Sequence, residues 1–366
     1  MIIGVPKEIK NNEYRVSIIP VGVEMLIHAG HEVFIQKGAG LGSGITDRDY
    51  IQSGAKILEN AADIYSKAQM IVKIKEPQKE EYSLLKKGHI VFTYFHFSAD
   101  RSLTESMLER GIIAYAYETL QLESGELPCL VPMSEVAGRM AVHEGAKYLE
   151  EPMKGRGILL GGVPGVMPAE VVIIGAGVVG SNAAKMAAGL GANVTILDIN
   201  LNRLRYLDDI MPQNVHTVMS NPHTIRDSVL KADLVISSVL IRGAKAPCLI
   251  DRELVSKMKQ GAVIVDVAID QGGSVETSRP TTHEDPIYLV DGVVHYCVTN
   301  MPGAVARTST YALTNATLPY ILLLSNVGFE KSIAHYPLKR ALNMANGELL
   351  IKEVAQTFQL PFRDLN

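Results

Sequence analysis

The segment VVIIGAGVVGSNAAKMAAGLGANVTILD, residues 171–198, constrains this chain more than any other stretch. An apolar, β-branched run, Val171–Ile174, leads directly into Gly175-Ala-Gly177-Val178-Val179-Gly180. A run of small and apolar residues then reads as a helix over Val178–Leu190, and a second strand over Asn193–Leu197 is closed by Asp198. In such a unit the first glycine permits a tight turn. The second lets the backbone approach a pyrophosphate, and the third lets the helix lie close to the strand. The helix N-terminus adds unpaired N–H donors and a partial positive charge. Gly-rich turns are common by themselves. Here the strand, the helix, the second strand and the terminal acid all stand where a dinucleotide site needs them. The Asp198 carboxylate is placed to accept hydrogen bonds from an adenosine ribose and to repel a 2′-phosphate, which predicts NAD rather than NADP.

The rest of the chain repeats the strand–helix alternation. With 366 residues it has room for about two domains. Upstream, strands are expected over Ile2–Val5, Glu32–Gln36, Met70–Lys75, Ile90–His96 and Ile112–Tyr117, with helices over Val21–Ala29 and Leu103–Arg110. A long helix is expected over Ser134–Tyr148, and residues 151–169, rich in Gly and Pro, read as a connecting loop. Downstream of the fingerprint, strands are expected over His216–Met219, Leu234–Val239, Val263–Val267 and Tyr288–Val290, and helices over Thr224–Lys231 and Asp251–Met258. After about Ala304 the pattern is mainly helical and shows no sheet of its own. This order predicts an α/β chain of two Rossmann-like, doubly wound domains with a C-terminal helical segment returning to the first. The expected boundaries are 1–130 with 305–366 returning to it, and 131–304 for the nucleotide domain.

Composition removes several function classes. Lys and Arg number 35 against 39 Asp and Glu, a net charge of −4 with no basic run, so no nucleic-acid partner is expected. Cys129, Cys248 and Cys297 form no CxxC pair, which points to a reducing compartment and to no metal site of cysteine type. The first residues carry too short an apolar run for a secretory signal. Tyr311–Phe329 carries no charge, but Thr, Asn, Ser and Pro interrupt it. It is therefore expected to be a helix buried at a domain or subunit interface, not a membrane span.

In open α/β sheets ligands bind beyond the carboxyl ends of the strands. Lys75 and His96 end two predicted strands, and Arg15 lies in the polar loop after the first one. Arg can grip a carboxylate in bidentate fashion, Lys adds a point charge and His can shuttle a proton, so the three suit an organic anion if they face one cleft. Taken singly, a lysine is usually solvated and a histidine packed. Asp270, at the end of another predicted strand, is aimed toward the nicotinamide half of a dinucleotide, or is a loop acid.

Longer blocks carry a resemblance. IGVPKEIKNNEYRVSIIP at the start, VKIKEP around Lys75, FTYFHF around His96 and LLGGVPGVMPAEVVIIGAGVVG before the nucleotide helix are similar to the alanine dehydrogenases. So are DVAIDQGG around Asp270, SRPTTHEDP, and VTNMPGAVARTSTYALTNATLPY. The resemblance spans the whole chain. It implies reversible conversion of L-alanine, NAD⁺ and water to pyruvate, ammonium and NADH in a homohexamer; the cysteine usage and the lack of a targeting signal point to the cytoplasm, and no motif with metal-ligand spacing calls for a metal. By the same resemblance Arg15 and Lys75 bind the substrate, His96 is the general acid/base and Asp270 is a second catalytic residue that positions water or the amine. Ser134 matches a phosphate contact, and Gly175, Gly177, Val178, Val179 and Gly180 the fingerprint turn. Asp198 and Arg203 match the ribose end, Ser220 the adenine, and Val239 with Leu240 the adenosine ribose. Val267, Ala268, Ile269, Asp270, Arg279, Val298, Thr299, Asn300 and Met301 match the nicotinamide end. The NAD-binding subunit of proton-translocating transhydrogenase shares the fold family and is the competing reading, a module that passes hydride to a partner. A relative acting on a larger amino acid, of the saccharopine or opine type, fits the nucleotide-domain blocks less well.

Overall fold

The computed structural model describes residues 1–239 and 247–364. The chain divides into two compact units, Met1–Met133 with Gly303–Asn366, and Ser134–Pro302. In chain order the strands are β1 (Ile2–Val5), β2 (Glu32–Gln36), β3 (Lys56–Leu58), β4 (Met70–Val72), β5 (Ile90–Thr93) and β6 (Ile113–Ala116). The second unit holds β7 (Glu170–Ile174), β8 (Asn193–Asp198), β9 (Val215–Met219), β10 (Leu234–Ser237), β11 (Val263–Asp266), β12 (Ile287–Val290) and β13 (Val293–Tyr296). The chain then adds β14 (Leu342–Ala345) and β15 (Glu348–Leu349) to the first unit.

The first sheet runs β15-β14-β6-β5-β4-β1-β2-β3 and the second β12-β13-β11-β10-β7-β8-β9. Six strands of the first are parallel, and only the β14 and β15 pairings are antiparallel. In the second only β12 is antiparallel. Each parallel core therefore has the 3-2-1-4-5-6 order of a doubly wound fold, with a reversal point between its first and fourth strands. β4, β5, β6, β10 and β11 are buried along their whole length. Continuous apolar runs such as MIV, IVFT and VIVD are what a parallel sheet covered on both faces demands.

Several strands stop earlier than periodicity suggested. β4 ends at Val72 and β5 at Thr93, so Lys75 and His96 lie past the strand ends, in the connecting loops. At the end of β4 a carboxylate takes the next donors: Glu8 accepts the N–H of Ile74 at 2.6 Å and of Lys75 at 3.4 Å, while the Ile74 carbonyl still accepts the Tyr94 N–H at 3.2 Å. β10 ends at Ser237 and β11 at Asp266, which caps a short 3₁₀ helix, Val267–Gln271, by accepting the Ala268 N–H. The short strands β3 and β13 were not read from the sequence. The C-terminal return is also more than helical. β14 pairs antiparallel with β6, Leu342 opposite Tyr115, extending the first sheet. Its four residues, LNMA, are too few to show a strand period among helical neighbours.

The uncharged stretch forms part of a helix, Ala306–Ser332, broken at Gly328, where φ is 70°. That helix is long and apolar enough to cross a membrane. Its Leu313, Ile321 and Leu324 pack in the first unit's own core with Ile3, Val5 and Leu26, so within this unit it is a core element.

Candidate functional site

In the first unit the loops after β1, β4 and β5 bring Arg15, Lys75 and His96 to the carboxyl ends of three adjacent strands at the reversal point. Arg15 is only 2% exposed. Its Nε and Nη2 each donate to one oxygen of Glu13 at 2.6 Å, and Nη1 lies 3.0 Å from the Met133 sulfur. Burial disfavours the guanidinium charge, but the Glu13 carboxylate outweighs it and the net shift of Arg15 is upward. For Glu13 burial is again the largest effect and acts upward, yet the Arg15 bonds, with Lys75 adding to them, bring the carboxyl below its usual range. Removing one partner of such a buried pair costs about 3–5 kcal/mol, because the other charge is stranded.

Lys75 is half-buried, and its ammonium makes no hydrogen bond or ion pair among the described residues. Burial, and then Arg15, hold it below the ordinary lysine range against the opposing pull of Glu13. Two residues earlier, Lys73 is fully buried between Glu8 and Glu81, each at 3.0 Å. The Tyr65 hydroxyl donates to Glu81 at 2.7 Å. An unpaired, desolvated cation beside a paired one has the chemistry to hold a small carboxylate.

His96 is exposed and adopts a left-handed backbone, φ 50°, ψ 42°. For a residue other than glycine this costs of order 1–3 kcal/mol, so the surroundings must enforce it. Glu118, in the 3₁₀ turn Tyr117–Thr119 that follows β6, does so by accepting the N–H of His96 at 2.6 Å and of Phe95 at 3.2 Å. The imidazole stacks on Tyr94, ring centres 5.7 Å apart and planes within 6°. Tyr94 is itself fixed by donating to the Cys129 carbonyl at 2.5 Å.

In the second unit the Gly-rich turn follows β7. Gly175 has φ +99°, open to glycine at no steric cost. A Cβ on Gly180 would sit on the Gly175 carbonyl oxygen, so this residue is what lets helix Val178–Gly189 meet the strand. A Cβ on Gly177 would meet nothing within 4 Å. The space before the turn, at a helix N-terminus with no side-chain cap, is therefore open, as a pyrophosphate cradle must be. Val178 and Val179 form the first turn of that helix. Asp198 accepts the N–H of Ala176 at 2.6 Å and of Asn200 at 2.7 Å, tying the end of β8 to the turn. Arg203 donates to the Ala176 carbonyl at 2.7 Å and to Ser181 at 3.1 Å.

The other expected contacts fall at the same end of this sheet. Ser220 follows β9, Val239 follows β10, residues Val267–Asp270 form the 3₁₀ turn after β11, and Val298–Met301 follow β13. Asn300 has φ 57°, and Val298 and Met301 are buried. Thr299 donates its N–H to the Thr281 carbonyl at 3.2 Å. Arg279 is exposed and stacks its guanidinium 4.2 Å from the Tyr288 ring centre. Ser134 lies on the long helix Val131–Tyr148. Leu240 lies outside the described residues. Asp270 is exposed and belongs to the second unit, whereas Arg15, Lys75 and His96 belong to the first.

Sequence reasoning missed Glu13, Tyr94, Glu118 and the Glu8–Lys73–Glu81 set. Glu118 could have been found, since the carboxyl-end rule applies to IIAYAYE as it does to IVFTYFH. Glu13 and Glu8 carry no such signal, because an acid in a polar loop reads as solvated until its burial is seen.

Two doubly wound units, one with a dinucleotide turn and one with a cationic set at its reversal point, define a dinucleotide-dependent class of α/β protein. The family model "Alanine dehydrogenase/PNT, N-terminal domain" matches residues 4–137, and its C-terminal counterpart matches residues 141–352. The chain belongs to this alanine dehydrogenase/PNT family, and it is an oxidoreductase of it. The alanine dehydrogenase of Methanococcus maripaludis is 56% identical over 99% of this chain and 98% of its own. That of Bacillus subtilis is 55% identical over 97% of this chain and 94% of its own. A solved L-alanine dehydrogenase superposes with a TM-score of 0.96 at 51% identity, covering 98% of this chain and 99% of that one. A transhydrogenase from Sinorhizobium meliloti superposes at 0.81 with 25% identity, covering 96% of this chain and 99% of that one.

Proposed function

We propose that this chain catalyses the NAD-dependent, reversible oxidative deamination of L-alanine: alanine, NAD⁺ and water give pyruvate, ammonium, NADH and a proton. The observation that carries the reading is the first-unit set, an unpaired Lys75 ammonium beside the clamped Arg15, with His96 held in a strained backbone by Glu118. The likeness to alanine dehydrogenases over nearly the whole length supports the substrate. The first unit is assigned to the substrate and the second to the cofactor.

The open space at Gly177 and the close approach at Gly180 fit a dinucleotide pyrophosphate. When bound, the nicotinamide supplies a hydride acceptor for the Cα hydrogen of alanine. Asp198 and Arg203 are assigned to the ribose, Ser134 to a phosphate, Ser220 and Val239 to the adenosine end, and Val267–Asp270, Arg279 and Val298–Met301 to the nicotinamide end. Arg15 and Lys75 bind the carboxylate, so the reacting carbon is fixed before hydride leaves. A ring nitrogen of His96 takes the proton of the attacking water and returns it as ammonia leaves, one imidazole serving both steps in turn. Asp270 positions the water or the amine. The chain is read as homohexameric on the family resemblance and as cytoplasmic on its cysteine usage.

The test is NADH formation from NAD⁺ with L-alanine against a panel of amino acids including D-alanine and glutamate. Activity confined to L-alanine and its smallest analogues is the expected result. NADH binding with no amino-acid activity would favour the transhydrogenase-type module, the reading the 0.81 superposition keeps in play.

A further inference from the structure

We propose that Glu13 is the specificity-determining residue of the first-unit site, restricting it to 2-oxo acids that carry a single carboxylate. The inference rests on the functional reading above and adds a role for a residue which that reading leaves aside. The Glu13 side chain is fully buried and spends both oxygens on Arg15, at 2.6 Å each, while also accepting the Arg15 backbone N–H at 3.2 Å. This clamp fixes the plane of the guanidinium and commits its charge. Lys75 is then the one cation of the pair whose charge is unmatched.

The groups acting on Lys75 are Arg15, Glu13, Lys10 and Glu76. Lys10 and Glu76 pair with each other at 2.5 Å, and Glu8, which touches the Lys75 backbone, shares the buried Lys73 with Glu81. One substrate carboxylate is matched by Lys75 and held by the oriented Arg15. A second carboxylate, replacing a hydrogen on the methyl of pyruvate, finds no uncommitted cation in this set and meets the field of Glu13. Like charges brought together in a desolvated site are strongly disfavoured, so the discrimination is built as repulsion and does not depend on pocket size alone.

Glu13→Gln removes the charge and keeps the volume. The amide can still accept one Arg15 bond through its oxygen, but its NH₂ opposes the other donor, so pyruvate turnover falls as well. The informative quantity is therefore the ratio of kcat/KM for freshly dissolved oxaloacetate to that for pyruvate, each with ammonium and NADH. The expected rise is about tenfold or more in Glu13→Gln, while Glu13→Asp, which keeps the charge, stays within about threefold of the unaltered enzyme. A purely structural role predicts that both substrates fall together and that Glu13→Asp tracks Glu13→Gln, and this result would overturn the proposal. Lys75→Gln reads the same balance from the other side without disturbing the buried clamp: the ratio must fall. An unchanged or raised ratio there counts against the proposal even if Glu13→Gln does not fold. Calorimetric titration of both acids in the presence of NADH gives the ratio as dissociation constants. An enzyme that binds pyruvate selectively through Glu13 but does not turn it over would sink the functional reading and leave this inference standing.

Discussion

The two units share a strand order and differ in how they make a site. In the second unit the chemistry is local: one turn, Gly175 to Gly180, shapes the open space, and Asp198 and Arg203 brace it through Ala176. In the first unit nothing comparable exists in any short segment. Arg15, Lys75 and His96 come from three loops, and a carboxylate bonds to each: Glu13 to the Arg15 side chain, Glu8 to the Lys75 backbone, Glu118 to the His96 backbone. The same fold thus supports a candidate site made from backbone geometry and one made from buried charge. Backbone sites tolerate side-chain change except where a Cβ intrudes, whereas charge-built sites fail when one partner is removed.

The sharpest break of this comparison is at His96. His96→Ala should lower kcat by roughly 10²- to 10⁴-fold, the range for a lost general acid/base. Its NADH dissociation constant should stay unchanged, as read by nucleotide fluorescence. Retained turnover would remove the proton-shuttle role and leave Asp270 as the remaining candidate.

Next come the glycines, which separate stability from binding within the second unit. Gly180→Ala forces a Cβ onto the Gly175 carbonyl and should cost about 1–3 kcal/mol of stability, visible as a lowered Tm and weakened NADH binding together. Gly177→Ala meets no protein atom, so the Tm should hold while NADH binding weakens by about tenfold or more. If Gly177→Ala bound NADH normally, the open space would not be the pyrophosphate cradle.

A smaller effect is expected at Asp198. Asp198→Ala should weaken NAD binding and narrow its advantage over NADP, because repulsion of the 2′-phosphate is lost. Comparing kcat/KM for the two cofactors checks it, and equal use of both by the unaltered chain would contradict the ribose assignment. Since Asp198 also holds the Ala176 N–H, some of the loss should appear with both cofactors.

How much of this was legible beforehand follows the same division. The fingerprint, the alternation of strands and helices, and the family blocks are contiguous signals, so the fold class, the family and the geometry of the Gly-rich turn were readable. Arg15, Lys75 and His96 were readable as types near strand ends. Their clamps were not, because nothing in EYRVS says that Glu13 is buried while its neighbour Tyr14 is 56% exposed. Strand ends were misjudged where a carboxylate takes a backbone N–H from the ladder, as Glu8 does at Ile74, since a side chain from another segment leaves no mark on local periodicity. β14 was hidden by its length, its four residues being meaningful only beside β6.

The division of labour between the units is tested most directly at Lys75. Burial and the Arg15 charge place its titration below the ordinary lysine range, and only the protonated form matches a carboxylate. Pyruvate affinity should therefore weaken as pH rises through that lowered value and be strongest below it. The measurement is a titration of Lys75→Met first with NADH and then with pyruvate, across that pH range. The account predicts an NADH dissociation constant within about threefold of the unaltered enzyme. Pyruvate binding should be weakened by about tenfold or more, with no remaining alkaline limb. An equal loss of NADH binding, or a pyruvate profile still showing the alkaline limb, would contradict it.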